Sequence, residues 1–165
     1  MIASLWLALR SLFWTALLPG MVAGWVPWRY VGLQQASFTW RDPVPVIGLL
    51  LITSGAGLLA MCIWEFARRG RGTLSPADPP RHLVVHGLYR YVRNPMYVAV
   101  TTILLGELLV VRTAAFALYC AGWLVAVNLF IFGYEEPTLR HLFGAEYERY
   151  TKSVGRWLPR LPRGR

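Results

Sequence analysis

The stretch that decides the fold is Asn94-Pro95-Met96-Tyr97-Val98-Ala99-Val100-Thr101-Thr102-Ile103-Leu104-Leu105-Gly106-Glu107-Leu108-Leu109-Val110-Val111, then Arg112, then the uncharged run from Thr113 to Tyr134. About forty residues pass with one arginine and one glutamate between them. A helix rises 1.5 Å per residue, so each half can cross a ~30 Å hydrocarbon layer. If the chain crosses and returns, the polar segments on either side meet on one face. Those segments are His86-Gly87-Leu88-Tyr89-Arg90-Tyr91-Val92-Arg93 before the hairpin, and Glu135-Glu136 with Phe143-Gly144 and Tyr147 after it. A polar pocket that opens sideways into lipid follows from that closure.

Working outward, two further stretches are uncharged for a spanning length, residues 11–28 and 43–64. With 56% apolar residues and a mean hydropathy of +0.42 over 165 residues, the chain exceeds the ~45–50% apolar content of soluble domains. The expectation is an all-α, polytopic membrane protein with about four transmembrane helices, a C-terminal amphipathic helix and a single domain over residues 1–165. The first stretch is broken by Pro19 and Pro27 and lacks a small-x-small cleavage pattern, so it reads as a retained, irregular helix over residues 2–28 rather than a signal peptide. Trp25, Trp28, Tyr30 and Trp40 cluster beyond it, as aromatic belts do.

The net charge of +9 is distributed as a topology signal rather than a nucleic-acid footprint. Residues 67–93 hold six arginines and one aspartate, and the tail from Glu135 holds seven Lys/Arg. The other two connections hold only Arg29, Arg41 and Arg112. Cationic segments stay cytoplasmic, which places both termini inside a plasma or inner membrane. Cys62 and Cys120 fall within spans and read as packing thiols. No Cys/His cluster has ligand spacing among His82, His86 and His141, so no metal is expected.

Residues 68–80 are too rich in glycine and proline for a helix and form a cytoplasmic loop. Asn94-Pro95 starts a helix, and the fourth span ends around Tyr134. In residues 137–154, Leu139, Leu142, Phe143, Tyr147, Tyr150 and Val154 recur at helical steps, with Glu148 and Lys152 paired on the other face. Arg156-Trp157-Leu158-Pro159-Arg160 reads as an interfacial anchor.

Glu135 and Glu136 stand where the last span meets the cytosol. They read either as an interfacial pair bound to arginines or as carboxylates for a cationic amine, a sulfonium or ribose hydroxyls. Neighbours on a helix point about 100° apart, so only one can face the bundle. Asn128, seven residues earlier, lines the same cavity or hydrogen-bonds between helices, the second being the stronger expectation. Tyr89, Arg90, Arg93, Asn94 and Tyr97 crowd a helix start whose free N–H groups suit a carboxylate. Glu107 lies ~15 Å beyond Tyr97 and reads as interfacial. His86 is equally a pocket or a loop residue.

The combined pattern Leu83-Val84-x-x-Gly87-x-Tyr89-x-x-x-Arg93-Asn94-Pro95-x-Tyr97, then Glu135-Glu136, Leu139, Phe143-Gly144, Tyr147 and Tyr150, resembles the isoprenylcysteine carboxyl methyltransferase and phospholipid methyltransferase family over roughly residues 72–160. The resemblance implies an integral membrane methyltransferase that uses S-adenosylmethionine, with neither a metal nor a Rossmann domain. It implies cofactor contacts from Arg81, His82, Leu83 and Val84, from Tyr89, from the wall Asn94-Pro95-Met96-Tyr97, and from Glu135. Glu135 or Glu136 would receive the proton of an amine acceptor. The acceptor itself is lipophilic, a lipid amine, a prenylcysteine carboxyl or a small hydrophobic thiol or phenol. Two departures stand out: Asn94 occupies a position that is often His, and Ile131 replaces the arginine that addresses a prenylcysteine carboxylate. Two other readings remain open, an NADPH-dependent reductase of the sterol-reductase type and a non-catalytic membrane accessory protein.

Overall fold

The computed structural model describes residues 17–36, 38–69, 83 and 85–160. Most of the first expected helix, and Arg81, His82 and Val84, lie outside the described residues. The architecture is all-α, as expected: among the described residues the extended pairing is a lone parallel bridge between Val92 and Gly155.

Residues 17–31 form α1, which widens into π turns at Met21–Trp25 and Pro27–Val31. Pro27 has no N–H to give the preceding turn and its ring crowds the carbonyl four residues back, so the helix loosens there. It ends at Gly32, whose φ of 93° is the left-handed stop that glycine accepts without strain. Trp25, Trp28, Tyr30 and Trp40 are exposed, and Trp25 meets Tyr30 edge-on at 5.3 Å, as an aromatic belt requires.

α2 (Pro43–Arg69), α3 (Pro95–Val111) and α4 (Ala114–Phe130) follow. α2 and α3 pack closest, because glycine removes the side chain at each contact. A Cβ on Gly48 would sit 2.6 Å from the Gly106 carbonyl, and one on Gly55 would sit 2.8 Å from the Ala99 carbonyl. At the α3–α4 turn Asp42 Oδ1 accepts the Val44 N–H at 3.0 Å and Arg112 reaches Asp42 Oδ2 at 2.6 Å, tying that turn to the start of α2. The Val44 N–H, then the Arg112 hydrogen bond, hold the Asp42 carboxyl below its usual range. Thr113 caps α4 by accepting the Phe116 N–H at 3.2 Å. The core packs Val100, Leu104, Phe116 and Cys120 against Val22 and Ala23 of α1, where the Tyr119 hydroxyl donates to the Val22 carbonyl at 2.7 Å.

The chain does not break at Tyr134. A π turn, Ile131–Glu135, carries α4 directly into α5 (Glu136–Ser153). The physical reason is Pro137: its ring would strike the Gly133 carbonyl of a regular helix, and the wider turn makes room. The helix bends again at Gly144, with φ 47° and ψ −122°.

Two helices, Pro43–Glu65 and Ala114–Ser153, are long and apolar enough to cross a membrane, and α3 is a shorter apolar helix. The apolar part of the second ends at Tyr134, so Glu135 and Glu136 stand outside the spanning stretch. Leu50, Leu118, Val125 and Leu129 are 60–74% exposed, an apolar surface that suits lipid and not water. Glu107 differs from its interfacial reading. It is buried at 5% exposure because α1 and the Leu33–Gln35 turn cover that end of α3, and its Oε2 has no partner among the described residues.

Candidate active site

The approach to α3 is shaped by Gly87, whose φ of 59° starts a 3-10 turn, Gly87–Arg90. The positive φ favours glycine there, and a Cβ would also meet the Glu65 carboxyl group, which would have to swing aside. Glu65, near the C-terminal end of α2, therefore lies beside this turn, and the sequence reading passed over it; its signal is a single carboxylate closing an apolar helix. The turn presents Tyr89, whose carbonyl accepts the Tyr150 hydroxyl at 2.8 Å. Burial, then the negative groups around it, push the Tyr89 phenol well above its ordinary value, so it remains a neutral donor.

α3 begins at Pro95 with no side-chain cap. Asn94 is buried, and its amide donates to the Arg156 carbonyl at 3.4 Å instead of capping the helix. The first N–H groups of α3 thus keep their positive end available to an anion. One turn in, the Tyr97 hydroxyl donates to Glu135 Oε2 at 2.9 Å, joining residues 38 positions apart. Trp123 stands behind Tyr97 at 6.3 Å between centroids and donates its indole N–H to Thr101 at 3.0 Å.

The two glutamates are placed in opposite environments. Burial pushes the Glu135 carboxyl up; the Tyr97 hydrogen bond opposes this and the Glu136 charge adds to it. Burial acts the same way on Glu136, but the Arg156 hydrogen bonds and the Arg93, Arg156 and Arg140 charges outweigh it and hold that carboxyl low. Arg156 grips both Glu136 oxygens, at 2.8 and 2.9 Å, while Arg93 contributes a 3.0 Å bond. Arg93 Nε is buried without a partner among the described residues.

The C-terminal strap is held to the approach segment by main-chain bonds, Arg93 N–H to the Gly155 carbonyl at 2.8 Å and Arg160 N–H to the Tyr91 carbonyl at 2.9 Å. Arg156 and Trp157, read from sequence as part of an interfacial anchor, also make contacts here: the Arg156 guanidinium lies 4.1 Å from the Phe132 ring centroid, and Trp157 lines the cleft between α3 and α4. Leu83 joins Val85, Leu139 and Phe143 around buried Tyr147 and Tyr150. Glu148 pairs with Arg140 at 2.9 Å. Asn128 bonds the Leu124 carbonyl within its own helix and lines a cleft between α3 and α4, so it does not bridge helices. Among the described residues no group of His, Cys, Asp and Glu has the arrangement to hold a metal ion.

The hairpin and the strap therefore bring Tyr89, Tyr97, Glu135 and the Glu136–arginine cluster to one end of an apolar helical bundle. That end is polar and roofed, on helices with lipid-suited flanks. The family model of phospholipid methyltransferases matches residues 44–146, more than half of the chain, and the protein belongs to that family. It is a membrane methyltransferase. No curated protein matches the chain.

Proposed function

We propose that the protein transfers a methyl group from S-adenosylmethionine to a lipophilic acceptor that enters from the bilayer. The observation that carries this reading is the Tyr97–Glu135 hydrogen bond, which sets a phenol donor against a half-buried carboxylate at one end of the apolar helices. The donor set suits the cofactor. The uncapped start of α3 and the unpartnered Arg93 Nε suit its carboxylate, the rings of Tyr89 and Tyr97 suit an adenine, and Glu135 suits a positive centre. The resemblance adds cofactor contacts from Arg81, His82, Leu83 and Val84 and a wall that includes Pro95 and Met96. When bound, S-adenosylmethionine supplies a methyl group on a sulfonium sulfur, open to in-line displacement.

The chain then has three tasks. It holds the acceptor in line, which supplies most of the acceleration for a nucleophile that needs no further activation. Arg156, Trp157 and the strap keep bulk water away. Glu135, its carboxylate steadied by Tyr97, receives the proton that an amine acceptor loses. Glu136 is a second candidate for that proton; its arginine contacts favour a positioning role, in which it fixes the strap and the helix end. The partners are membrane lipids and a lipid-borne substrate, with no nucleic acid. The proposed topology is four spans with both termini in the cytoplasm of a plasma or inner membrane, so that the cofactor arrives from the cytosol.

The test uses purified protein with labelled S-adenosylmethionine and a lipid extract. Label recovered in an extractable lipid, with measurable affinity for S-adenosylhomocysteine and none for NADPH, is the expected result. Folded protein that transfers label to no fraction would sink the reading.

A further inference from the structure

The cleft between α3 and α4 has a volume of about 410 Å3 and is lined by Val98, Thr101, Thr102, Leu124, Asn128 and Trp157. It is linked to the proposed reacting pair by side-chain packing: Thr101, which lines it, accepts the Trp123 indole N–H, and the Trp123 ring lies 6.3 Å from that of Tyr97. Its walls are apolar except at one level, where Thr102 and Asn128 face the same space from two helices. Thr102 donates its hydroxyl to the Val98 carbonyl at 2.8 Å, which leaves its oxygen able to accept. Asn128 gives one amide hydrogen to Leu124 at 2.7 Å, which leaves its carbonyl oxygen and second hydrogen uncommitted among the described residues. A carboxamide inside the apolar part of a membrane helix is unfavourable unless something polar meets it.

The geometry points to Asn128, assisted by Thr102, as a specificity-determining residue: it recognises a hydrogen-bonding linkage (ester, amide or hydroxyl) set into the acceptor chain below the methylated atom. The inference rests on the proposed methyl transfer and deepens it by naming what the acceptor carries. The depth follows from helix rise. Asn128 is seven residues before Glu135 and Thr102 is five after Tyr97, which puts the polar rung roughly 7–10 Å from the reacting pair. A chain that carries only methylenes at that depth lays hydrocarbon against the Asn128 carboxamide, and a site that loses a hydrogen bond to its ligand discriminates against it. Val98, Leu124 and the Trp157 ring take the hydrocarbon on either side.

The experiment uses full-length protein in nanodiscs with labelled S-adenosylmethionine and two single-chain amines of equal length. One carries an ester about 10 Å from its nitrogen, where the helix rise sets the rung; the other has methylenes there. The wild-type protein is expected to favour the ester amine roughly tenfold in kcat/KM. Asn128→Leu and Thr102→Val are expected to reduce that ratio towards one while S-adenosylhomocysteine affinity stays at the wild-type value. Equal turnover of the two amines by the wild-type protein overturns the inference, as does an undiminished ratio in Asn128→Leu. Loss of S-adenosylhomocysteine binding by the wild-type protein would instead overturn the methyltransferase reading on which it rests.

Discussion

The Tyr97 hydroxyl donates to Glu135 Oε2 at 2.9 Å, and this bond fastens the first turn of α3 to the π turn that carries α4 into α5. It spans the whole apolar hairpin, so the two polar motifs depend on each other for their placement. A hydrogen bond to a charged acceptor is worth about 1.5–3 kcal/mol. Tyr97→Phe is therefore expected to lower kcat/KM by roughly ten- to a hundredfold with the fold intact, since each ~1.4 kcal/mol is a factor of ten. Labelled-methyl transfer together with a melting curve checks it; wild-type turnover in that variant would remove Tyr97 from the site.

The glutamates should separate by what they lose. Glu135→Gln is expected to abolish transfer to an amine acceptor while the melting temperature stays put. Glu136→Ala leaves Arg93 and Arg156 facing each other without their shared carboxylate, and breaking a buried ion pair typically costs about 3–5 kcal/mol. Its melting temperature should fall and the strap around Trp157 should loosen, read as a change in tryptophan emission.

Glu136 also sets a pH dependence. Its carboxyl titrates lower in the folded protein than in the unfolded chain, so the native state binds fewer protons across that interval. The stabilisation is complete above the ordinary glutamate range and is lost as pH falls through it to the lower, folded value. Melting temperatures taken from neutral to acidic pH should show that loss in the wild-type protein. Glu136→Gln should lack this component; an identical acid slope in the two proteins would refute the assignment.

The α2–α3 contact has no room to spare. A Cβ on Gly106 would stand 2.5 Å from the Gly48 carbonyl and 2.8 Å from the Ile52 nitrogen, both backbone atoms that cannot swing aside. Gly106→Ala should cost about 1–3 kcal/mol, as overpacking does. Gly57→Ala, on the same helix pair but with nothing within 4 Å, should leave the melting temperature unchanged or slightly higher.

Topology is tested by accessibility. In a background with Cys62 and Cys120 replaced, Arg160→Cys should react with an impermeant thiol reagent only from the cytoplasmic side, and Trp40→Cys only from the outer side. Reaction of both from one side would contradict the proposed arrangement.

Much of this architecture was legible in the residues themselves. Long uncharged runs, Asn94-Pro95 at a helix start and the aromatic cluster around Trp28 and Trp40 each express a local cost, that of burying charge, of proline inside a helix, or of placing an amphipathic ring away from an interface. The α5 periodicity was equally readable from Leu139, Phe143, Tyr147 and Tyr150. The end of α4 was not, because Pro137 normally signals a break and only the accommodating π turn keeps the helix continuous. Glu65 escaped notice, and Arg156 and Trp157 were legible only as an interfacial anchor, because each looks ordinary until its partner arrives from another part of the chain.

By itself, the order of residues determined that this protein is helical, apolar enough for lipid, and furnished with two polar motifs separated by a hairpin; these follow from local hydration and backbone geometry. The resemblance had put Glu135 on the pocket side, and tertiary structure alone decided the partners: Tyr97 for Glu135, Arg93 and Arg156 for Glu136. The two carboxylates are adjacent and chemically identical, and only their three-dimensional neighbours distinguish the carboxylate beside Tyr97 from the anchor of a strap.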